Sequence, residues 1–100
     1  MADMQAYFES RLTPNTRREV LWQILCRHYF SGMVPKGGCV LELRAGYGHF
    51  INNIEAKRKI AMDLWDGFRR RLQPGIEAHV GVVEDLSFLE DRSVDFCLCQ

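Results

Sequence analysis

The sequence lacks an excess of charge of either sign. Thirteen basic residues balance thirteen acidic ones, so the formal net charge of the 100-residue chain is zero. A neutral chain has no general electrostatic attraction for nucleic acid or for an anionic membrane surface. The composition therefore favours no nucleic-acid or lipid partner, and any ligand has to be inferred from individual sites.

Long hydrophobic runs are also missing. A membrane-spanning helix needs roughly 20 consecutive apolar residues, and no run in this chain approaches that length. Residues 1–12 do not read as a signal peptide either, because Asp3, Glu9 and Arg11 interrupt their apolar residues. We therefore expect a cytoplasmic protein without a membrane association.

The cysteines include no C-x-x-C pair, the spacing that most often indicates a zinc or redox site. Cys97 and Cys99 alternate along a predicted strand and should share one of its faces, but a zinc site would need further ligands. We predict no metal site. In a cytosolic protein the favoured interpretation is a set of reduced, buried thiols: Cys26, Cys39, Cys97 and Cys99.

The first predicted regular element is a helix. Pro14 suits a first helical turn, Thr16 and Glu19 have capping-box spacing, and the helical pattern ends at about Tyr29. Residues 1–38 are therefore predicted to form an N-terminal helical segment. The apolar residues of the helix recur at three-to-four spacing and predict one buried stripe, formed by Leu21, Ile24, Leu25, His28 and Tyr29.

The rest of the chain alternates between apolar strand-like runs and helical or turn segments. The pattern predicts strands over 39–43, 59–64, 76–80 and 94–99, helices over 49–56 and 67–72, and a loop that can include a short helix over 82–92. Strands that alternate with helices form parallel sheets. We predict an α/β fold, a Rossmann-like three-layer parallel sheet of about four strands with flanking helices.

This predicted sheet is incomplete. Its fourth strand is apolar and is followed only by Gln100, with no helix to cover it. Parallel sheets normally bury both faces. The end of the sequence therefore predicts either further chain or a partner that completes the sheet, and we treat residues 39–100 as a partial domain truncated after the fourth strand.

The most informative stretch is 40–50, where an apolar strand enters a glycine-bearing turn and then a helix. Glycine lets a ligand approach main-chain N–H groups because no side chain occupies the space. An acid at the end of the next strand, placed about 20 residues downstream, can accept hydrogen bonds from ribose hydroxyls. Gly46, Gly48 and Asp63 therefore predict a site for a nucleoside-containing ligand.

Two families of nucleoside-binding proteins share this plan. A dinucleotide fingerprint would need a small residue at Ile51, so a nicotinamide-binding fragment is the weaker interpretation. The stretch from Glu42 to Gly48 instead resembles the first motif of the class I S-adenosylmethionine-dependent methyltransferases, an acid in the strand followed by a glycine-rich loop. The resemblance continues through 60–65 and 80–96 and covers residues 39–100. It implies an S-adenosylmethionine cofactor and a transferase activity.

Carried over position by position, the resemblance assigns Glu42 to ordering the loop and the methionine end of the cofactor, and Asp63 to the ribose. Leu64 and Trp65 would flank the adenine. Gly46 and Gly48 would let the cofactor approach the main chain, and Ala45 and Tyr47 of the same loop are also predicted to bind it.

The third motif of the family often has an acid where this chain has Val82. The resemblance therefore implies that contact with the adenine amino group comes from Glu84, from Asp85 or from main chain. Methyl transfer is an in-line displacement, for which a protein aligns the two reactants and can supply a base. The candidate imidazoles are His28, His49 and His79, of which His49 lies nearest the loop in sequence, and we assign no catalytic base.

Arg44 departs from the family pattern, because it stands at the first glycine position. A side chain there should crowd the cofactor or strain the loop by about 1–3 kcal/mol, which would weaken binding about 5-fold to 150-fold. The alternatives are that Arg44 turns outward or pairs with the cofactor carboxylate. Impairment is the favoured interpretation, since the added bulk must first find room.

The sequence thus predicts the cofactor-binding half of a class I methyltransferase that does not transfer methyl groups alone, with an unidentified methyl acceptor. The competing interpretation comes from a different functional class. It is a non-catalytic interaction module that pairs with itself or with another chain through the exposed edge of its fourth strand.

Overall fold

The computed structural model describes residues 16–100. The first fifteen residues of the predicted N-terminal helical segment, including Pro14, lie outside this range. The described chain forms one four-stranded sheet in which all neighbouring strands are parallel. The strands are β1 (Cys39–Leu43), β2 (Arg58–Asp63), β3 (Glu77–Val80) and β4 (Phe96–Cys99). The predicted α/β, Rossmann-like parallel sheet is confirmed.

The strand order is β3-β2-β1-β4. The chain moves outward from β1 to β2 and β3, and then returns to place β4 on the other side of β1. The order therefore reverses between β1 and β4, and open α/β sheets bind ligands at such a point, beyond the carboxyl ends of the strands. All five residues of β1 are buried because this strand is central and both of its faces are covered.

Helices cover one face of the sheet. They are α1 (Thr16–His28), a short 3-10 helix at Phe30–Gly32, α2 (His49–Asn53) and a second 3-10 helix at Asp66–Arg71. The helix predicted over 67–72 is therefore present in 3-10 form. The core on this face joins Val40 and Ala61 of the sheet to buried residues that include Cys26, Phe50, Ile51, Ile54 and Phe68.

The opposite face is covered by a loop. Its buried sheet residues are Cys39, Leu41, Leu43, Ile60 and Met62, and partly buried residues pack on them from the segment between β3 and β4, namely Val83, Leu86, Leu89 and Val94. This segment contains turns and no helix, so the short helix allowed for 82–92 does not form. The arrangement is an incomplete three-layer fold, with helices on one face and extended chain on the other.

The buried stripe predicted for α1 is wrong. Leu21 and Ile24 are about half exposed, at 53% and 52%, and Tyr29 is also exposed. The inward face instead carries Trp22 and Cys26, and it continues to Phe30 beyond the helix. Both sets of residues have helical spacing. The large aromatic rings decide between them, because Trp22 stacks on Phe30 at 6.1 Å between ring centroids and also meets Phe50 edge-on at 6.2 Å.

The prediction of buried thiols holds for Cys26 and Cys39 and is wrong for Cys97 and Cys99, which are exposed. β4 is the last strand of the described sheet, and its side chains alternate between the two faces. Phe96 and Leu98 pack toward the helices. The two cysteines therefore share the other face, where the loop does not cover them. All four cysteines are free thiols.

Within residues 16–100, no helix has both the length and the apolar character needed to cross a membrane.

Candidate functional site

The glycine loop and the end of β2 meet at the carboxyl edge of the sheet. The loop follows β1 directly, and the N–H of Gly46 donates a hydrogen bond of 2.8 Å to Oδ2 of Asp63. The N–H of Ala45 donates to the carbonyl oxygen of Met62 at 3.1 Å. The structure therefore brings together Ala45, Gly46 and Asp63, three of the residues that the sequence predicts for the site.

Three residues of this loop have left-handed backbone conformations. Their φ angles are 58° at Arg44, 59° at Gly46 and 76° at Gly48. Gly48 is also tightly enclosed, because a Cβ atom there would lie 3.0 Å from Leu72 and 3.1 Å from the side chain of Asn52. The sharp exit from β1 thus depends on conformations that glycine adopts without a steric penalty.

Arg44 occupies such a conformation without being glycine. The left-handed region costs a residue with a Cβ about 1–2 kcal/mol, so the expected backbone strain at this position is present. The side chain itself is exposed. An exposed side chain fits both an outward direction and one toward the open edge of the sheet, so impairment and its two alternatives stay predictions.

Asp63 fastens the glycine loop to β2. The residue is 6% exposed. Oδ2 accepts the N–H of Gly46, and Oδ1 accepts the N–H of Trp65 at 3.3 Å. A carboxylate offers about four acceptor positions, so lone pairs remain for ligand hydroxyls. The structural role was not part of the sequence-based assignment, and the ribose contact stays a prediction.

Glu42 lies beneath the loop and is fully buried. Oε1 accepts the N–H of Ile51 at 3.1 Å, and Oε2 accepts a hydrogen bond from Nε2 of Gln100. Burial raises the pKa of Glu42 to about 8, and the nearby charge of Asp63 adds to the effect, while the two hydrogen bonds act in the opposite direction. The carboxyl group that was predicted to order the loop therefore holds α2 and the end of β4 and is mostly neutral at neutral pH.

An apolar surface lies beside Asp63 at the same edge. Leu64 is 52% exposed, Val80 43% and Val82 48%. The N–H of Gly81 donates to the carbonyl oxygen of Asp63 at 3.0 Å, which holds the ends of β2 and β3 together. Leu64, Val80 and Val82, the apolar row, are thus exposed apolar residues at the ends of β2 and β3, and such side chains can contact the flat face of a base.

Trp65 is half-buried and packs over Gly67. A Cβ atom at Gly67 would lie 2.2 Å from the indole ring, so only glycine leaves room for this packing. The glycine therefore determines where the indole lies, immediately after Asp63 and Leu64. This role of Gly67 was not anticipated from the sequence.

Glu84 and Asp85 are both exposed. Oδ1 of Asp85 accepts the N–H of Ser87 at 3.1 Å and its hydroxyl at 2.7 Å. These hydrogen bonds lower the pKa of Asp85. They also occupy Oδ1 of its carboxylate with a residue of the same turn. Glu84 accepts no hydrogen bond from another residue in 16–100. Neither acid is held against the glycine loop, and the adenine contact predicted for them stays a prediction.

The histidines occupy three different environments. His28 is exposed on α1. His79 stacks on Phe88 with ring centroids 3.8 Å apart. His49 stacks on Tyr47 at 5.8 Å, and burial lowers its pKa, with Arg18 contributing in the same direction and Glu19 opposing. His49 is the one adjacent to the glycine loop, as its position in the sequence indicates.

Two residues that the sequence analysis did not single out contribute to the site. Gln100 donates a hydrogen bond to Glu42. The sequence feature that could have indicated this role is a polar residue directly after an apolar strand, at the carboxyl edge of the sheet. Asn52 donates to the carbonyl oxygen of Arg71 and accepts the N–H of Gln73, both at 2.8 Å. Nothing in the local sequence distinguishes Asn52 from its neighbour Asn53, so this role could be found only from the fold.

No protein-family model and no curated protein matches this chain. The assignment of a function therefore depends on the residues and on their geometry. The features that bear on it are the glycine loop, which follows β1 where the strand order reverses, its hydrogen bond to Asp63, and the apolar row at the ends of β2 and β3.

Proposed function

We propose that this chain is the S-adenosylmethionine-binding part of a class I methyltransferase and that it does not transfer methyl groups by itself. The observation that carries the proposal is the hydrogen bond between Gly46 and Asp63 at the carboxyl edge of β1 and β2. It sets a main-chain segment without side-chain bulk next to a carboxylate that retains free acceptor positions. This combination suits a nucleoside, whose ribose hydroxyls need acceptors and whose sugar must approach the backbone closely.

The apolar row supports a nucleoside over a plain sugar. In the proposed complex, Leu64 and Val82 contact the adenine faces, and Asp63 accepts from the ribose hydroxyls. Burial of the base against these exposed side chains adds about 25 cal/mol for each Å² of apolar surface removed from water. The residues at this edge therefore match both halves of a nucleoside.

The bound cofactor would supply an activated methyl group on a sulfonium. The residues of this chain would bind and orient it, since Glu42 keeps α2 in place beneath the loop and Asp63 ties the loop to β2. No residue is assigned as a base, and no surface is assigned to the methyl acceptor. Sustained methyl transfer by this chain alone, measured with a radiolabelled methyl donor and candidate acceptors, would contradict the inactivity that we propose.

Arg44 provides the sharpest test of the cofactor site. Replacing it with glycine relieves the left-handed strain and removes a side chain from the first glycine position. We expect Arg44→Gly to bind S-adenosylhomocysteine at least about 5-fold more tightly than the wild-type chain, the effect of roughly 1 kcal/mol. Isothermal titration calorimetry gives the affinities, and tryptophan fluorescence reports on Trp65.

Arg92 supplies a matched control. Its φ angle is 60°, nearly that of Arg44, and it lies in the loop between β3 and β4. Arg92→Gly should relieve similar strain and leave the affinity unchanged. If neither the wild-type chain nor Arg44→Gly binds while both are folded, the cofactor proposal is wrong. Preferential binding of NAD would favour the nicotinamide alternative.

The interaction module stays the second candidate, and one observation favours it. β4 is the edge of the described sheet, and its outward face carries the exposed Cys97 and Cys99. Edge strands present unpaired main-chain groups to other strands. Concentration-dependent dimers in sedimentation velocity, together with no nucleoside binding, would support this candidate, and a strictly monomeric chain would count against it.

A further inference from the structure

A polar cavity of about 340 Å³ opens between α1, α2 and the chain that follows the second 3-10 helix. Its lining includes Glu19 and Gln23 of α1, Tyr47 and His49, and Arg71 and Gln73. The volume lies within the range of about 300–1,000 Å³ that is typical of small-molecule sites. The lining does not include Asp63, Leu64 or Val82, so this cavity differs from the nucleoside surface proposed above, although it shares Tyr47 with the glycine loop.

The walls of the cavity are fixed by hydrogen bonds. Asn52 bridges two points of the neighbouring segment, donating to the carbonyl oxygen of Arg71 and accepting the N–H of Gln73. The guanidinium of Arg71 lies 4.4 Å from the centroid of the Tyr47 ring. Stacking on an aromatic face leaves the N–H groups at the edge of a guanidinium free to donate. Arg71 is therefore held in place with its donors still available.

Two opposite charges line this cavity without neutralising one another. Neither Glu19 nor Arg71 forms an ion pair with any residue in the described range 16–100. His49 does not replace a cation beside Glu19, because burial lowers its pKa and favours the neutral imidazole. A ligand that carried only a negative charge would meet Glu19, and one that carried only a positive charge would meet Arg71. A ligand with both charges satisfies both residues.

We propose that the cavity binds a small zwitterion of the α-amino-acid class. Arg71 donates to its carboxylate, and Glu19 accepts from its ammonium group. Charge-assisted hydrogen bonds of these two kinds are roughly twice as strong as neutral ones. The carboxamides of Gln23 and Gln73 make no hydrogen bond to the described residues and can contact a polar ligand side chain. The inference does not depend on the cofactor proposal.

Free L-glutamine is the probe, with acetate and methylammonium as ligands that each carry a single charge. Binding is measured by calorimetry and by chemical-shift changes in the side-chain amide signals of Asn52 and Gln73. We expect glutamine to bind at least about tenfold more tightly than either single-charge ligand, the factor expected for one lost charge-assisted contact. Equal binding of glutamine and acetate, or no binding of glutamine, would overturn the proposal.

Charge-removing variants locate the site. Glu19→Gln and Arg71→Met should each weaken glutamine binding at least about tenfold, and both residues are exposed, so the fold is retained. Glu55→Gln and Arg70→Met are the matched controls, since both residues are exposed and do not line the cavity. Equal losses in the controls would contradict the assignment. S-adenosylhomocysteine binding is titrated separately, so the two proposals can fail independently.

Discussion

Glu42 places an ionisable carboxyl group in the fully buried central strand. Its ordinary pKa of 4.5 is raised to about 8 in the folded chain, first by burial and then by the charge of Asp63. Between these two values the unfolded chain ionises while the folded chain keeps its proton. The contribution of Glu42 to the free energy of unfolding should therefore be highest below about pH 4.5. It should fall as the pH rises to about 8.

Glu42→Gln isolates this effect. The neutral amide can still accept the N–H of Ile51, and Gln100 can turn its own amide oxygen toward it. We expect the wild-type chain to lose a few kcal/mol relative to the variant between pH 4.5 and 8. Urea denaturation across this range gives both slopes. Parallel pH profiles for the two chains would contradict the prediction, and Glu55→Gln, at an exposed position, should keep the wild-type slope.

The conformation and contacts of some residues could be predicted from the sequence, and those of others could not. The strain at Arg44 could be predicted because its place after β1 requires a left-handed backbone, whatever its side chain does. The direction of that side chain could not be predicted, since it depends on the space around the loop. The second role of Asp63, accepting the N–H of Gly46, depends on how closely β1 and β2 approach, which a linear sequence does not specify.

At the scale of elements, α1 and α2 contribute unequally. α1 has apolar residues on both sides, so its pattern alone did not identify the inward face, and Trp22 and Phe30 decide it by packing on Phe50. α2 has only five residues, too few for a stable isolated helix. Its position depends on contacts to other elements, in particular through Asn52 and Ile51.

Asn52→Ala tests how α2 is attached. The variant loses both hydrogen bonds to the segment at Arg71 and Gln73, and we expect a loss of about 1–2 kcal/mol in the free energy of unfolding. Asn53→Ala is the control, because among residues 16–100 the side chain of Asn53 donates only to the carbonyl oxygen of His49 in its own helix. Urea denaturation and hydrogen exchange at the Gln73 amide measure the two effects. An equal loss in both variants would argue against a bridging role.

At the scale of the whole molecule, the two faces of the sheet are covered differently. Alternating strands and helices were enough to predict a parallel sheet, because a helix between two strands returns the chain to the starting edge, so that the next strand runs in the same direction. They were not enough to predict that extended chain, rather than a helix, covers the second face. Cys97 and Cys99 are exposed because this extended chain does not cover them. The apolar pattern of β4 alone could not predict their exposure.

Thiol labelling should divide the cysteines by their place in the molecule. We expect Cys97 and Cys99 to react readily with an aromatic disulfide reagent in the folded chain, and Cys26 and Cys39 to react only after unfolding. Cys97 is exposed as a residue, but partial desolvation of its thiol and the neighbouring Cys99 raise its pKa, so its reaction should accelerate as the pH rises.

The labelled sites are identified by mass spectrometry of digested peptides. A Cys97→Ser, Cys99→Ser double variant should lose the fast phase entirely. Fast labelling of Cys26 in the native chain would mean that the helical face of the core opens more readily than its packing indicates.

β1 lies between two partner strands, of which β2 is near it in the sequence and β4 is distant. β1 pairs with β2 at residues 19 apart, as at Cys39 and Arg58, whereas it pairs with β4 at residues 56 apart, as at Val40 and Phe96. Closing the longer loop costs roughly 1 kcal/mol more chain entropy than closing the shorter one. β1, β2 and β3 pair through contacts between residues that are close in sequence. β4 joins the sheet beside β1 only after the long segment between β3 and β4 has brought the chain back.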